Sequence, residues 1–332
     1  MAQADIRNTV AVFLDRHPTA SNDEVASHVR KIHKGARTTA ASVSSIKSRL
    51  KAEGNGTAPL EWVGDDAAQD DPLETVEEAA KRISVRYNAL ERMSARIVEG
   101  QIPSLIVSGP PGIGKSYTVR KAVRRMSGDR KSVFVSGAAS PVGLYKTLFQ
   151  CAEGGVVVLD DCDDVFHDDT SLNLLKAALD SDEDYRTISW LKEAAWMERE
   201  GVPDSFEFKG SVVFLTNIDF EAAIESGRPG AEHFKALIDR SMYLCLTLRT
   251  RRDFMIRIRQ VALGPEGILR RRGGSFEFTE KQESEVLGFI DENKERFYNL
   301  SLRLVNQVAT CMKADPEGWR EDVEATKMKT LS

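Results

Sequence analysis

From about residue 104 onward, short and wholly apolar runs alternate with longer stretches whose apolar positions recur every three or four residues. The runs Leu105–Val107, Val133–Val135, Val156–Leu159, Val212–Leu215 and Met242–Leu246 have the length and composition of short strands. Helical periodicity begins between them, near residues 115, 142, 171 and 231. Five strands separated by helices predict an α/β fold with a parallel sheet. A longer helical pattern over 74–99 carries Val76, Ala80, Ile83, Tyr87, Leu90, Met93 and Ile97 and stops at Gly100. Residues from 251 to about 325 read as mostly helical, which predicts a C-terminal lid.

The first fifty residues follow a different pattern. Helical periodicity is present over about 4–16 (Ile6, Val10, Phe13, Leu14), over 22–32 behind a Ser21 or Asn22 cap, and over 38–52 (Val43, Ile46, Leu50). The third pattern begins with Thr38, Thr39, Ser42, Ser44 and Ser45 and ends with Lys47, Arg49 and Lys51. Short hydroxyl side chains allow close approach to a groove and the basic residues reach phosphates. A protein-docking module or a solvated basic face would also fit this composition. Residues 54–75 are rich in Gly, Pro and acids and read as a linker. The expected organisation is a head over 1–53, an acidic linker over 54–75, a core over 76–250 and a lid over 251–332.

Charge sharpens that division. The net charge of the 332 residues is -5, yet residues 1–53 hold nine Lys/Arg against five Asp/Glu, and residues 54–75 hold six acids and no Lys/Arg. Apolar residues at 41% and charged residues at 29% exclude wholesale disorder. No apolar run approaches the roughly 20 residues that span a bilayer. The start of the chain lacks the basic and apolar stretches of a secretory signal, so a cytoplasmic location is expected. Cys151, Cys162, Cys245 and Cys311 form no Cys-x-x-Cys pair, and neither a disulfide framework nor a zinc site is expected.

The chemistry concentrates at three strand ends. Gly109-Pro110-Pro111-Gly112-Ile113-Gly114-Lys115-Ser116 lies between a strand and a helix, where backbone N–H groups converge on phosphate oxygens. Lys115 would reach the β- and γ-phosphates and Ser116 would bind Mg²⁺. The run Val156–Leu159 ends in Asp160-Asp161. At that tip Asp160 can hold hydrated Mg²⁺ and Asp161 can polarise the attacking water. Asp163 and Asp164 read as a solvated loop. The run Val212–Leu215 ends in Thr216-Asn217, and the Asn217 amide can donate and accept at once.

Together with Leu237-Ile238-Asp239-Arg240, this ordered set resembles the AAA+ ATPase superfamily over roughly residues 75–312. The resemblance implies a P-loop NTPase core with a parallel five-stranded sheet, a helical lid and bound ATP and Mg²⁺. Gly109–Ser116 corresponds to Walker A, Asp160-Asp161 to Walker B and Asn217 to sensor 1. Arg240 falls at the arginine-finger position, with Arg228 as a second candidate, and Arg303 resembles sensor 2. A finger acting in trans implies a homo-oligomeric ring, with a hexamer as the expected size. The head resembles helix-turn-helix or winged-helix domains in helix count and polarity.

One departure bears on rate. The family usually places Glu after the Walker B Asp, and Asp161 is one methylene shorter. A displacement of about 1 Å can cost about 10²-fold in rate, so hydrolysis is slow unless the backbone compensates. Between the helical pattern that begins near residue 171 and the strand at Val212, two period-2 runs, Tyr185–Trp190 and Ser205–Lys209, predict an inserted hairpin. In related ATPases an insertion there faces a central pore, which would make Lys192 and Arg199 pore-facing; an edge hairpin without that role fits equally. The segment Ser136–Leu144 lacks the aromatic-apolar-Gly loop of protein unfoldases.

The expected function is an ATP-hydrolysing protein acting on DNA or a DNA-bound complex, through residues 1–53 and the insertion 185–209. That organisation suits bacteriophage or bacterial replication, recombination or packaging, with the host cytoplasm as the location if viral. A protein-remodelling ATPase with a protein partner and a slow nucleotide-dependent assembly switch are the alternatives.

Overall fold

The computed structural model describes residues 21–32, 74–126, 130–180, 186–191, 195–227, 231–264, 267–270 and 273–330. The chain divides into two compact units, residues 1–60 with 226–231, and residues 61–225 with 232–332. In the first, helix α1 (Asn22–Ile32) starts at Ser21. The Ser21 N–H donates to the Glu24 carboxylate at 2.7 Å, and the Glu24 N–H donates back to the Ser21 hydroxyl at 3.3 Å. This reciprocal cap fixes the helix start, and Val25, Ala26 and Val29 form its buried stripe. The helices expected over 4–16 and 38–52, with Lys47, Arg49 and Lys51, lie outside the described residues, as does almost all of the linker.

The second unit opens with α2 (Val76–Val98), capped by a Thr75–Glu78 box. Its buried positions Ala79, Ile83, Tyr87, Leu90, Ser94 and Ile97 recur every three or four residues, as the apolar periodicity requires. Gly100 then takes φ 76°, a left-handed conformation that ends helices at little steric cost to glycine. There follow β1 (Ser104–Ser108), α3 (Lys115–Met126), β2 (Ser132–Ser136), α4 (Pro141–Gln150) and β3 (Val156–Asp160). A 3₁₀ turn over Asp163–His167 leads into α5 (Asp169–Leu179). An antiparallel pair, β4 (Arg186–Ser189) and β5 (Ser205–Phe208), encloses α6 (Ala195–Glu200). The core closes with β6 (Ser211–Thr216), α7 (Phe220–Glu225), α8 (Ala231–Arg240) and β7 (Met242–Cys245).

The main sheet is wholly parallel, in the order β2-β3-β6-β1-β7. Central strands β1, β3 and β6 are buried at every position, which is why they read as unbroken apolar runs. Their register brings the C-terminal tips level. Ser136 pairs with Asp160, Asp160 with Leu215, and Thr216 with Ser108. Loops leaving four adjacent strands therefore emerge side by side, at the edge where sheets of this kind bind ligands.

The lid comprises α9 (Arg251–Ala262), α10 (Glu280–Glu292), α11 (Leu302–Ala314) and α12 (Trp319–Lys327). It has its own apolar centre, in which Phe289 meets Trp319 edge-on at 4.8 Å. Helix α9 serves both centres, with Ile256 in the sheet core and Met255 and Ile258 in the lid core. Charged pairs reinforce that junction. Arg82 of α2 donates to Glu74 at 2.7 Å and to Asp253 at 2.8 Å, and Arg252 reaches Glu74 at 2.9 Å.

The expected hairpin is present and contains one unforeseen helix, α6, within what reads in the sequence as a polar segment. Aromatic rings seat it against α4, with Tyr145 at 5.2 Å from Phe206 and 5.7 Å from Trp190. Its base is pinned by Arg186, whose guanidinium donates to the carbonyls of Ala178 and Gly210. Burial lowers the pKa of Arg186 to about 10. Among the described residues, no helix is long and apolar enough to cross a membrane.

Trp319 is fully buried, and its indole N–H has no hydrogen-bond partner. Trp319→Ala should destabilise the lid by about 3–5 kcal/mol. Trp319→Phe should cost distinctly less, because it removes an unpaired donor along with the lost volume. Denaturant unfolding of the two variants checks the order.

Candidate functional site

The loop Gly109–Ser116 leaves β1 and runs into α3, so the unpaired N–H groups of a helix start face the loop's concavity. Gly112 and Gly114 hold φ of 72° and 98°, values that L side chains rarely tolerate. The lid packs directly on this loop. A Cβ at Gly112 would stand 2.7 Å from the Ser301 Cβ, and the Leu302 N–H donates to the Gly112 carbonyl at 2.8 Å. The loop's shape is thus set from both sides.

Lys115 is only 5% exposed. Its ammonium donates to the carbonyls of Gly109 at 2.6 Å and Pro110 at 3.0 Å, and to Asn217 Oδ1 at 2.8 Å. Asn217 Nδ2 donates in turn to Asp161 Oδ1 at 2.9 Å. The amide can be oriented in only one way, because an ammonium has no acceptor and a carboxylate has no donor. Burial lowers the pKa of Lys115 to about 8, against the opposing pull of Asp161, Asp160 and Asp163.

Asp161 carries φ 55°, a left-handed backbone that Asp adopts more readily than most side chains. Its carboxylate reaches solvent at the mouth of the site, yet partial burial and then the charge of Asp160 raise its pKa. Lys115, Arg303 and the Asn217 hydrogen bond work against that rise. The turned backbone, rather than a longer side chain, brings this carboxylate to Asn217.

Asp160 is buried at the tip of β3 and accepts from the Ser116 hydroxyl at 2.7 Å. These two hard oxygen donors fit Mg²⁺, which binds through one or two carboxylates and takes its other ligands from water and phosphate. Among the described residues, no group of three or more His, Cys, Asp or Glu could hold a metal ion. The other Asp160 oxygen pairs with Arg120 at 3.1 Å. Sequence reading missed Arg120, although its place four residues after Ser116 puts both on one helical face.

Asp163 is a correction. It reads in the sequence as part of a solvated loop, but the 3₁₀ turn folds it inward, and its Oδ1 is buried without a partner. Burial raises its pKa to about 6, opposed by hydrogen bonds from Thr216 and the Asn217 backbone. It therefore supports the segment that presents Asn217. Asp164 is exposed, as expected.

The structure brings Arg303 to the site but not Arg240. Arg303 opens α11, and its Cβ lies 3.9 Å from where a Cβ on Gly112 would be. The Arg240 carbonyl accepts from Ser104 at the opposite end of β1, roughly 13 Å from the loop end at about 3.3 Å per residue. Its guanidinium holds the Ala236 carbonyl at 3.1 Å and Asp180 at 3.7 Å. Arg199 is exposed on α6. Arg228 and Lys192 lie outside the described residues.

A parallel sheet with this phosphate loop, this acidic strand tip and a helical lid has the fold of an AAA+ P-loop NTPase. No family model matches the sequence. Over 250 residues, 75% of each chain, it is 37% identical to the 36.7 kDa protein of the nrdC–mobD intergenic region of Enterobacteria phage T4, and the chain belongs to the family of that protein. Among solved structures, it resembles the RuvB Holliday junction branch migration motor of Thermotoga maritima at a TM-score of 0.39 and 14% identity, over 75% of this chain and 68% of that one. NtrX from Brucella abortus in complex with ADP aligns at a TM-score of 0.35 and 16% identity, over 95% of this chain and 76% of that one.

The depressed Lys115 has a measurable signature. Below about pH 8 its ammonium is charged in the free protein, and above that value it is neutral and attracts phosphate less. A bound triphosphate restores the charge, so binding takes up a proton in that range. ATP affinity should fall as pH rises from about 7 to 9, approaching tenfold per pH unit at the upper end. Titration calorimetry in buffers of different ionisation enthalpy reads both the affinity and the proton. A flat profile would contradict the depressed pKa.

Proposed function

We propose that the chain is a Mg²⁺-dependent ATPase that assembles into a homo-oligomeric ring and acts on DNA or a DNA-bound complex. The observation that carries the ATPase reading is the continuous hydrogen-bonded set Lys115–Asn217–Asp161, with Ser116 and Asp160 beside it. The loop Gly109–Ser116 cradles the phosphates, and Lys115 turns from its loop carbonyls to the γ-phosphate. Ser116 and Asp160 would hold Mg²⁺, which would supply positive charge against the phosphate oxygens. Asp161 accepts a proton from the attacking water while Asn217 orients that water. Arg303 approaches the phosphates from the lid.

Arg240 acts on a neighbouring subunit's nucleotide. Its position at the far end of β1 leaves it no role at its own loop, and a guanidinium supplied in trans is worth about 10³–10⁵ in rate. The head over 1–53, joined through the acidic linker, supplies the DNA contact. The assignment to a host cytoplasm is supported by the phage source of the T4 relative. A second reading, a switch that assembles with ATP and hydrolyses it slowly, is favoured by the Asp161 side chain, which is one methylene shorter than Glu.

Steady-state ATP hydrolysis measured across protein concentrations, with and without double- and single-stranded DNA, tests the proposal. Turnover should rise with protein concentration and again with DNA. Activity indifferent to DNA would favour a protein client, and tight ATP binding with almost no turnover would favour the switch.

Arg240→Ala should leave ATP affinity unchanged and lower concentration-dependent turnover by about 10³-fold or more. Full activity in that variant would place the finger elsewhere. Removal of residues 1–53 should abolish salt-sensitive DNA binding, because phosphate contacts are what salt opposes. Unchanged binding would move the DNA contact to the hairpin.

A further inference from the structure

The lid carries a second arginine against the phosphate loop, on a different helix from Arg303. Arg257 lies in α9, and its Nη2 is 3.8 Å from the point that a Cβ on Gly114 would occupy. Gly114 has no side chain, so nothing of its own stands between the guanidinium and the loop backbone. The guanidinium carbon sits 3.4 Å from the centroid of the Tyr87 ring in α2. A guanidinium laid on an aromatic face is held in orientation while its edge stays available for a planar, bidentate contact.

The surroundings satisfy it only in part, through its interaction with Tyr87. Its Nε is buried without a hydrogen-bond partner. No ion pair to Arg257 occurs among the described residues; Tyr87 attracts it most strongly and Glu91 adds a longer-range attraction. Burial lowers its pKa, as expected for a charge removed from water without a counter-ion. A buried donor left unpaired is costly, and the adjacent loop is a place where anionic oxygen would relieve that cost.

We propose that Arg257 is a nucleotide-binding residue that contacts the α- and β-phosphate end of the triphosphate. This rests on the nucleotide reading of the loop given above. The end of the nucleotide follows from position. Lys115, Asn217 and the Ser116–Asp160 pair mark the β- and γ-phosphate end, whereas Gly114 belongs to the backbone arc that cradles the α- and β-phosphates. The two lid arginines divide the ligand between them. Arg303, beside Gly112, senses the phosphate that ATP has and ADP lacks, and Arg257, beside Gly114, senses what the two nucleotides share.

Equilibrium binding of ATP and ADP to the full chain, by calorimetry, tests this division. Arg257→Ala should weaken both nucleotides by a similar factor of about 10–100, the loss expected for one charge-assisted hydrogen bond. Arg257→Lys should recover part of the affinity for both. Arg303→Ala should weaken ATP more than ADP. Thermal unfolding of nucleotide-free Arg257→Lys, which keeps a cation beside the Tyr87 ring, should match the unmodified protein.

Unchanged affinity for both nucleotides in Arg257→Ala would overturn the proposal. So would a loss confined to ATP, or a loss in Arg257→Lys matched by lower stability of the nucleotide-free protein. Arg257→Lys keeps the charge and most of the stem, so it decides the matter if Arg257→Ala fails to fold; its affinities equalling those of the unmodified protein would then count against the proposal. Failure of the unmodified chain to bind either nucleotide would instead remove the underlying ATPase reading.

Discussion

A lysine ammonium enclosed away from water must find an oxygen for each of its three protons, and much of the core is arranged so that Lys115 does. Two of those oxygens are carbonyls of its own loop, which turns back toward them through left-handed glycines at 112 and 114. The third belongs to Asn217, on a strand that is adjacent to β1 in the sheet but distant in sequence. That contact exists because Thr216 pairs in register with Ser108. A slip by one residue would turn the strand tip to the other face. The apolar runs of β1, β3 and β6 thus do more than fill a core. They hold the register that lets one buried charge be matched.

The lid is tied to this arrangement at two places with different chemistry. Along α2, the contact is made by ion pairs around Arg82, Glu74, Arg252 and Asp253 and by the Gln260 amide donating to the Ala80 carbonyl. At the loop, the contact is a backbone hydrogen bond and the close approach of Ser301 to Gly112. Helix α9 contributes side chains to both apolar centres, so lid and sheet share one piece of secondary structure. A change in the loop is therefore felt by the lid through atoms already in contact.

Most of the fold was legible from periodicity, because the central strands are buried on both faces and cannot disguise themselves with polar residues. The phosphate loop was legible because glycine spacing, a strand before it and a helix after it are local features. Asp163 was misread for the opposite reason. Four acids in five residues look solvated, and nothing local reports that a 3₁₀ turn carries the third of them under Thr216. Arg120 and Arg257 were missed because their significance depends on neighbours, Asp160 and Gly114, supplied by other segments. The left-handed backbone of Asp161 was equally hidden, since a side chain one methylene short reads as a deficit until the main chain is seen to turn.

The closeness of Gly112 to Ser301 bears on how this chain can change over generations. The absence of a side chain at position 112 is imposed by the lid as well as by the loop's dihedral angle. The loop also limits what bulk position 301 can carry. Two sites separated by most of the chain length are consequently bound as one heritable unit. A chimera that takes its loop from one relative and its lid from another inherits two surfaces that were never shaped against each other, even when each half folds.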